Sequence, residues 1–593
     1  MNQETKILLQ GGAFLIESVP PQEMFTPEDF SEEQKMIAKT TEEFVQREVL
    51  PNIERIEKQD FKFIVSLIRK AGESGLLSVS IPQEYEGLDL DTTCSMLVTE
   101  NLCAYGSFAV THGAHTSIGT LPILYFGNDA QKKKYLPLSC SAEKIFAYAL
   151  TEAGSGSDAL AAKTTAVLNP EGTHYICNGE KMYITNASFA DVFVTFVKVD
   201  GDKFSGLIIE RDMPGVSTGK EERKMGIHGS STCTLILQDA KIPKENLLGQ
   251  VGRGHKIAFN ILNFGRFKLG AGSLGGSKSS LKDAIKYASE RKQFKTAIAE
   301  FGAIQHKLAE MATQIYALES AVYRTSGLLD TKLSTLNKND FQEVLDGIEE
   351  YAVECSTVKV FGSEVLDYVT DEHVQILGGY GYIHDYSATR FYLDSRINRI
   401  FEGTNEINRM LIPGMLLKKA TKGKLPLLKA AQGLLEEILN YSGEDEEDLS
   451  LLSGEKKRVQ NAKKIVLLVL GSAAQKFMKN LEQQQEILIH LADLVIQTYA
   501  MEASLLRCLK MISASSEEKC AITIAMTQIF LNDTIQRIEF SAKQALPAIA
   551  DGDELRILLS ALKRFTKFTP INTIELRRKV AHHLLETGQY CPH

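Results

Sequence analysis

The sequence lacks the features that mark several classes of protein. Its nine cysteines are scattered and no two form a C-x-x-C pair, which argues against structural zinc and indicates a reducing compartment. The longest aliphatic stretch covers only residues 465–470, whereas a membrane-spanning helix needs about 20 apolar residues. Acidic side chains outnumber basic ones and the net charge is -9, so a nucleic-acid-binding protein with a basic face is not expected.

Targeting and metal-binding patterns are missing as well. The first residues, MNQETKILLQGGAFLIE, have neither the basic start of a signal peptide nor the arginines of a transit peptide. The pairs His112 with His115 and His582 with His583 have no carboxylate or cysteine at ligand spacing, so no metal site is predicted. We expect a soluble, cytoplasmic protein.

The spacing of apolar residues divides the 593-residue chain into several domains. It changes from helical to strand-like near residue 146 and becomes helical again near residue 254. Pro-Glu-Gly, Asn-Gly and Asp-Gly punctuate the β-rich part and are hairpin signals. We predict a mainly α fold with an inserted antiparallel β domain. The expected segments are a leader at 1–29, a helical domain at 30–145, the β domain at 146–253, a helical bundle at 254–420 and a helical extension at 421–593.

Two helical segments resemble each other at an offset of 183 residues. KLAEMATQIYALESAVYRT at 307–325 aligns with HLADLVIQTYAMEASLLRC at 490–508, and Leu, Ala, Gln, Tyr, Ala, Glu and Arg coincide. One explanation is chance similarity between amphipathic helices; the other is that the extension is a degenerate copy of the preceding bundle. The strip between them, 442–457, has the composition of an exposed linker.

Gly270, Gly272 and Gly275 satisfy the G-x-G-x-x-G pattern of dinucleotide-binding folds. That pattern functions after a strand and at a helix N-terminus, whereas here it continues a helical run. Close helix packing is therefore the expected role of these glycines.

Two stretches combine glycine with polar residues. YALTEAGSGSD at 148–158 lets backbone N–H groups and hydroxyls approach a ligand, although a plain loop before the β domain is an alternative. QILGGYGYIHDYSATRFYLD at 375–394 contains Gly378 and Gly379, which suit either close approach to a bound group or a helix C-cap.

A third stretch, RIFEGTNEIN at 399–408, places Glu402 between Phe401 and Gly403. An acid held against an apolar wall beside flexible backbone suits a catalytic base, because burial raises its pKa. A structural residue near a helix start is the alternative interpretation.

Together these stretches resemble the acyl-CoA dehydrogenase family, and the length and extension resemble its very-long-chain branch. TEAGSGSD is similar to the first family signature, with Ala153 where proline is more usual, and residues 375–394 fit the second signature throughout. The order of both signatures and of FEGT also agrees. The resemblance implies an N-terminal helical domain, a β-barrel-like middle domain and a four-helix bundle, followed here by a C-terminal helical bundle.

The resemblance implies FAD as the cofactor. Arg291, Gln293 and the turn at 375–379 would reach the FAD of a neighbouring subunit, so at least a homodimer is expected. Tyr183 stands where the family often has tryptophan, and either aromatic ring packs on a flavin. The residues that the resemblance assigns to the cofactor are Tyr148, Thr151, Gly156, Ser157, Tyr183, Thr185, Arg291, Gln293, Gln375, Gly378, Gly379, Thr404 and Glu406.

The implied reaction converts a long-chain acyl-CoA to a trans-2-enoyl-CoA in fatty-acid β-oxidation. Glu402 would remove the α-proton while the β-hydride passes to flavin N5. Some relatives carry the base on the helix that holds NFGRF, but that position here is Gly265, which also leaves volume for a long chain. The residues expected at the substrate are Ser157, Asn263, Arg266 and Gly403.

The resemblance names electron-transferring flavoprotein as the electron acceptor. An assembly protein that retains the fold and an acyl-CoA oxidase are the alternatives; retention of Glu402, Arg266 and both signatures favours the dehydrogenase. The extension is expected to contact a membrane surface peripherally. Basic residues at 456–464 favour that contact, and the acidic run at 444–448 opposes it.

Overall fold

The computed structural model describes residues 9–337, 340–440 and 450–592. The chain begins with a helical domain built around an apolar core. Pro51 interrupts the helical run of this domain, because proline has no N–H to donate: a π turn at Val45–Val49 leads into a 3-10 turn at Leu50–Asn52. The α-helices of this domain are α1 (Glu32–Phe44), α2 (Ile53–Glu57), α3 (Phe61–Glu73), α4 (Thr92–Leu102), α5 (Gly106–Gly113), α6 (Leu121–Phe126) and α7 (Asp129–Cys140).

A β-sheet domain follows. Its strands are β1 (Phe146–Ala149), β2 (Thr165–Leu168), β3 (His174–Thr185), β4 (Val192–Val199), β5 (Lys203–Glu210), β6 (Val216–Thr218), β7 (Thr232–Pro243) and β8 (Leu247–Leu248). They lie in the order β6-β7-β3-β2-β4-β5-β8, with β1 beside β4. Alternate side chains of β4 enter two cores: Phe193 joins that of the N-terminal helices, and Val194 joins one shared with the following helix. The sheet therefore lies between two helical domains.

Two of the three predicted hairpin signals form turns. Pro-Glu-Gly joins β2 to β3 and Asp-Gly joins β4 to β5, both antiparallel. Asn178-Gly179 does not turn the chain but forms a register shift inside β3, because β7 continues to pair on both sides of it. The sheet is mostly antiparallel, and β4 pairs in parallel with β1 and β2.

A helical bundle covers the other side of the sheet. The three glycines of the G-x-G-x-x-G pattern lie inside its first helix, and a Cβ at Gly275 would come within 1.9 Å of the Glu100 carbonyl oxygen. Close helix packing thus explains the pattern. The elements are α8 (Gly254–Glu290), β9 (Lys292–Gln293), β10 (Thr296–Ala297), α9 (Gly302–Leu333), α10 (Phe341–Glu349), α11 (Ala352–Leu377), α12 (Ser387–Ser395) and α13 (Asn405–Thr421).

The C-terminal extension is helical as predicted. Its helices are α14 (Leu427–Leu439), α15 (Ser453–Phe477), α16 (Gln485–Ala514), α17 (Ala521–Ile549), α18 (Gly552–Phe565) and α19 (Thr573–Thr587). The linker expected at 442–457 is shorter than predicted, since α15 already starts at Ser453; the acidic run at 444–448 lies outside the described residues. In the described ranges, no helix combines the length and apolarity required to cross a bilayer.

The two segments that resemble each other pack together through reciprocal ion pairs. Arg324 on α9 bonds Glu502 on α16 at 2.7 Å, and Arg507 on α16 bonds Glu319 on α9 at 2.6 Å. Each arginine and each glutamate has its counterpart at the repeat offset of 183 residues. This pseudo-twofold arrangement supports the duplication hypothesis over chance similarity.

The described part of the leader is anchored in the core. The 3-10 turn Ala13–Leu15 is buried, and the ring of Phe14 lies edge-on to Tyr499 with centroids 4.9 Å apart. The backbone N–H of Gly12 donates to Glu354 at 2.7 Å. The leader therefore joins the bundle to the extension.

Candidate active site

The FEGT segment forms a strained turn between α12 and α13. Glu402 has φ 58 and Gly403 has φ 81, a region that glycine adopts freely and a glutamate rarely does. Thr404 then caps α13, accepting the N–H of Ile407 at 3.3 Å. A non-glycine residue persists in this conformation only where surrounding contacts hold it.

Three side chains supply those contacts. Lys359 on α11 donates to the Gly403 carbonyl at 2.8 Å, and Asn408 donates to the same oxygen at 2.8 Å. Arg266 on α8 donates through Nε to the Glu402 carbonyl at 3.2 Å. Lys359 and Asn408 were not predicted from the sequence; a single cation in the apolar run TVKVFG was the available signal for the lysine.

The Glu402 carboxyl group has the properties of a general base. Its Oε2 atom is buried and has no hydrogen-bond partner within the described ranges. Burial raises the pKa of Glu402 to about 7, and the positive charges of Arg266 and Lys359 limit the rise. A base with a pKa near neutrality is half ionised at the working pH of most enzymes.

The carboxyl group faces a cavity of about 160 Å³ between the N-terminal helices and α8. Gly265, Gly272 and Gly276 form the α8 side of this space, and Thr185 from the end of β3 lies on its wall. Of the predicted site residues, Thr185 and Glu402 line the cavity directly. Tyr148 lies nearby, since the charge of Glu402 adds to burial in raising the tyrosine pKa.

A buried ion pair fixes the loop at 150–158, and the sequence did not predict this pair. Glu152 accepts Lys181 Nζ at 2.6 Å and the N–H of Lys163 at 2.6 Å. The following residues of the loop are accessible: a Cβ at Gly156 would meet no atom within 4 Å, and Ser157 is exposed. Thr151 is half-buried and accepts the Met182 N–H through its carbonyl at 2.8 Å.

Tyr183 presents its ring to the outside of the domain. It is 60% exposed and has φ 58 at the end of β3. An exposed aromatic ring on strained backbone beside Thr185 is suited to a planar ligand.

A second group of predicted residues lies apart from the cavity lining, at the ends of α8 and α11. Arg291 lies over the ring of Tyr380 at 5.4 Å, and Gly378 has φ 59. A Cβ on Gly378 or Gly379 would meet nothing within 4 Å. Other members of this group are also exposed, namely Gln293 and Gln375.

Two other predicted residues, Asn263 and Glu406, also have structural roles. Asn263 accepts Arg266 Nη1 at 2.9 Å, which fixes the arginine side chain. Glu406 is exposed in the first turn of α13, where a negative charge is favourable.

His112 and His115 are buried within the N-terminal domain. His112 bonds the Leu76 carbonyl at 3.0 Å, and His115 bonds the Ser139 carbonyl at 2.9 Å. Burial lowers the pKa of His112 to about 3 and that of His115 to about 4, so both are neutral and structural. Across the described part of the chain, no cluster of three or more potential ligand side chains is placed to hold a metal.

Comparison with known proteins accounts for this arrangement. Models described as the acyl-CoA dehydrogenase N-terminal and middle domains match residues 31–143 and 147–240. Two models described as the acyl-CoA dehydrogenase C-terminal domain match residues 252–416 and 461–564. A probable acyl-CoA dehydrogenase of Bacillus subtilis is 54% identical over 98% of both chains.

The chain belongs to the acyl-CoA dehydrogenase family. A crystal structure of an acyl-CoA dehydrogenase complexed with FAD, from Bacillus anthracis, has 54% sequence identity and a TM-score of 0.97, and the match covers 98% of this chain and 100% of that one. The predicted family, fold and enzyme class, an FAD-dependent oxidoreductase, are thereby confirmed.

A relative with a different role also matches about two thirds of the chain. The caffeyl-CoA reductase-Etf complex subunit CarC of Acetobacterium woodii is 36% identical over 66% of this chain and 100% of its own length.

Proposed function

We propose that this protein is an FAD-dependent dehydrogenase of long-chain acyl-CoA in fatty-acid β-oxidation, with Glu402 as the base. The observation that carries the proposal is the buried Oε2 of Glu402, which lies on the wall of a cavity and has no hydrogen-bond partner among the described residues, and the pKa of this carboxyl group, which burial raises to about 7. An assembly protein would not require a carboxyl group in this state, so the geometry favours an enzyme.

The residues around the cavity fit FAD. The exposed ring of Tyr183 and the hydroxyl of Thr185 would take the flavin ring, with Tyr148 and Thr151 behind it. Open backbone at Gly156 leaves room for close approach, because a Cβ there would meet nothing. Thr404 and Glu406 would complete the FAD-binding surface. When bound, FAD supplies the acceptor for the hydride that leaves Cβ of the substrate.

Glu402 performs the proton transfer. An α-proton beside a thioester is weakly acidic, so the acceptor must be a desolvated carboxylate placed against the α-carbon. The developing enolate oxygen needs a donor, and the backbone N–H of Glu402 donates to no acceptor among the described residues. The same residue would therefore both take the proton and stabilise the resulting negative charge.

The substrate would lie along the glycine-lined side of α8. From Gly265 to Gly276 this face extends about 16 Å, which is enough for about twelve methylene carbons at about 1.3 Å each. Asn263, Arg266, Gly403 and Ser157 would contact the CoA end. These dimensions support a long-chain acyl group.

We assign electron-transferring flavoprotein as the electron acceptor, with oxygen as the alternative that an oxidase would use. Support comes from the CarC relative, which is a subunit of a caffeyl-CoA reductase-Etf complex. The test is turnover with a long-chain acyl-CoA, with either purified electron-transferring flavoprotein or air as acceptor. Reduction of the flavoprotein without peroxide supports the dehydrogenase; peroxide formation at the same rate would identify an oxidase.

The functional unit would be a homodimer in which the second group of site residues reaches the FAD of the neighbouring subunit. Arg291, Gln293, Gln375, Gly378 and Gly379 belong to this group. Next to them are exposed apolar side chains, with Phe294 91% and Tyr382 84% exposed. A patch of this kind is typical of an interface.

Light scattering of a charged variant tests the interface. Phe294→Asp should produce monomers and reduce FAD retention. Phe540→Asp, at a 61% exposed position of the extension, is the matched control and should leave the mass unchanged. A dimeric Phe294→Asp variant that holds FAD normally would contradict this arrangement.

The basic residues of α15 give little support to a membrane contact. Lys463 and Lys464 pair with Glu502 and Glu437, and Arg458 is buried beside Glu455. Peripheral contact through the extension stays a prediction. It is tested by liposome co-sedimentation of the full chain against Lys464→Glu; equal binding to anionic vesicles would contradict an electrostatic contact at this helix.

A further inference from the structure

A half-buried lysine lies on the wall of the active-site cavity. Lys268 follows Gly265 by three residues on α8, so the two positions share one side of the helix, about 4.5 Å apart along its axis. Its side chain lines the cavity that contains Glu402 and also a neighbouring cavity of about 230 Å³. Lys268 therefore separates the two spaces.

In the part of the chain that the structure describes, no acidic group compensates this cation. Among the residues that the structure describes, neither a carboxylate nor another hydrogen-bond acceptor pairs with Lys268. Burial lowers the pKa of its ammonium to about 8. The lysine charge contributes to lowering the pKa of His112, which is itself neutral. A desolvated ammonium without a partner costs free energy unless a ligand supplies an acceptor.

Two of the carboxylates that line the neighbouring cavity are bonded elsewhere. Asp330 accepts the backbone N–H of Thr92 at 2.6 Å, and Asp91 accepts that of Cys94 at 2.8 Å. At the other end, the charges that lower the pKa of Glu402 come from Arg266 and Lys359 and not from Lys268. Lys268 therefore forms no ion pair with the base.

We propose that Lys268 forms a subsite for a carboxylate, or another hydrogen-bond-accepting group, carried by the acyl chain of the substrate. The proposal rests on the proposed function, because it concerns an acyl-CoA bound with its α-carbon at Glu402. A carboxylate would supply the partner that the protein lacks. A hydrogen bond to a charged group favours binding by about tenfold to a hundredfold, whereas a plain chain must cover the ammonium with methylene groups.

The test compares acyl-CoAs of graded length that end in a carboxylate, a hydroxyl or a methyl group. Each is mixed anaerobically with the FAD-loaded protein, and two quantities are measured: the rate of flavin bleaching and the rise in melting temperature on binding. At the length that reaches Lys268, we expect the carboxylate-ended chain to be favoured over the methyl-ended chain by about tenfold or more.

Lys268→Met keeps the length of the side chain and removes its charge. This variant should lose the preference and bind methyl-ended chains more tightly. Lys282→Met, at an exposed position of the same helix, is the matched control and should retain the preference. If the Met variant does not hold FAD, Lys268→Gln takes its place.

The outcomes separate this inference from the assignment of function. If methyl-ended chains bleach the flavin and the ratio of the two substrates is unchanged by Lys268→Met, the subsite is refuted and the dehydrogenase stands. If no acyl-CoA bleaches or stabilises the wild type, both fail. A preference for the hydroxyl that disappears in Lys268→Met supports the subsite and identifies a neutral acceptor.

Discussion

A Cβ atom at Gly265 would lie 2.5 Å from Oε2 of Glu402. The carboxyl group therefore occupies its position because residue 265 has no side chain. Two segments 137 positions apart in the sequence are thus matched: the turn supplies the base, and α8 supplies the space for it. This pairing links the packing of the bundle directly to the proposed chemistry.

Gly265→Ala should impair catalysis more than stability. The added methyl group would push the carboxylate away from the α-carbon, and a displacement of about 1 Å costs about a hundredfold in rate. FAD content should stay normal, because residue 265 is not assigned to the cofactor. The matched control is Gly414→Ala in α13, where a Cβ meets no atom within 4 Å. Equal rates for the two variants would contradict the close fit at Gly265.

The pH dependence of kcat/KM reports the ionisation of Glu402. Burial raises the pKa of Glu402 to about 7, and only the ionised form accepts a proton, so kcat/KM should rise as the pH passes through about 7. The same raised pKa predicts that unfolding becomes easier as the pH increases from about 4.5 to 7, because the folded state binds the proton more tightly. A profile that is flat over this range would be inconsistent with this base.

Lys359 should shift that profile, because its charge lowers the pKa of Glu402 at a pH below about 7, the value to which burial lowers the pKa of the lysine itself. In Lys359→Met the rising limb should move to higher pH by roughly one unit, in addition to a loss of rate from the unsupported turn. Lys359→Arg keeps the charge, so kcat/KM should again rise at the wild-type pH. If kcat/KM rises at the same pH in wild type and in Lys359→Met, the lysine has a purely structural role.

The reciprocal ion pairs should stabilise the junction between bundle and extension. Arg324 and Glu502 are 3% and 5% exposed. Removing one partner of a buried pair costs about 3–5 kcal/mol, and the second cation on Glu502, Lys463, reduces this loss. Arg324→Met should therefore lower the urea midpoint clearly; the chain has no tryptophan, so circular dichroism is the measurement. Arg556→Met removes an exposed pair with Asp553 and should cost at most about 1 kcal/mol. Similar losses of stability in both variants would show that burial does not increase the contribution of the ion pair.

Local motifs explain why the sequence predicted Glu402 but missed its supports. The FEGT segment and both signatures are continuous stretches, and their residue order alone indicates the chemistry. Lys359 reaches the turn from 44 positions away through a fold contact, and no local pattern encodes that distance. Lys181, the partner of Glu152, lies 29 positions along the chain.

Tertiary contacts also determine two features that the local sequence does not predict. Asn178-Gly179 has the composition of a hairpin turn, but pairing with β7 continues past it and produces a bulge. The leader has no feature that predicts docking, yet Phe14 is buried against Tyr499 because the extension supplies an apolar surface for it. The repeat, by contrast, could be read from the sequence, since its residues coincide in pairs at one offset.

The most direct test of the central claim is anaerobic mixing of a long-chain acyl-CoA with the purified Glu402→Gln variant. Glutamine keeps the shape of the side chain but cannot accept the α-proton. The variant should retain its yellow cofactor, show a melting temperature raised by the acyl-CoA, and bleach at least about a thousandfold more slowly than wild type. Bleaching at the wild-type rate would show that another group removes the proton.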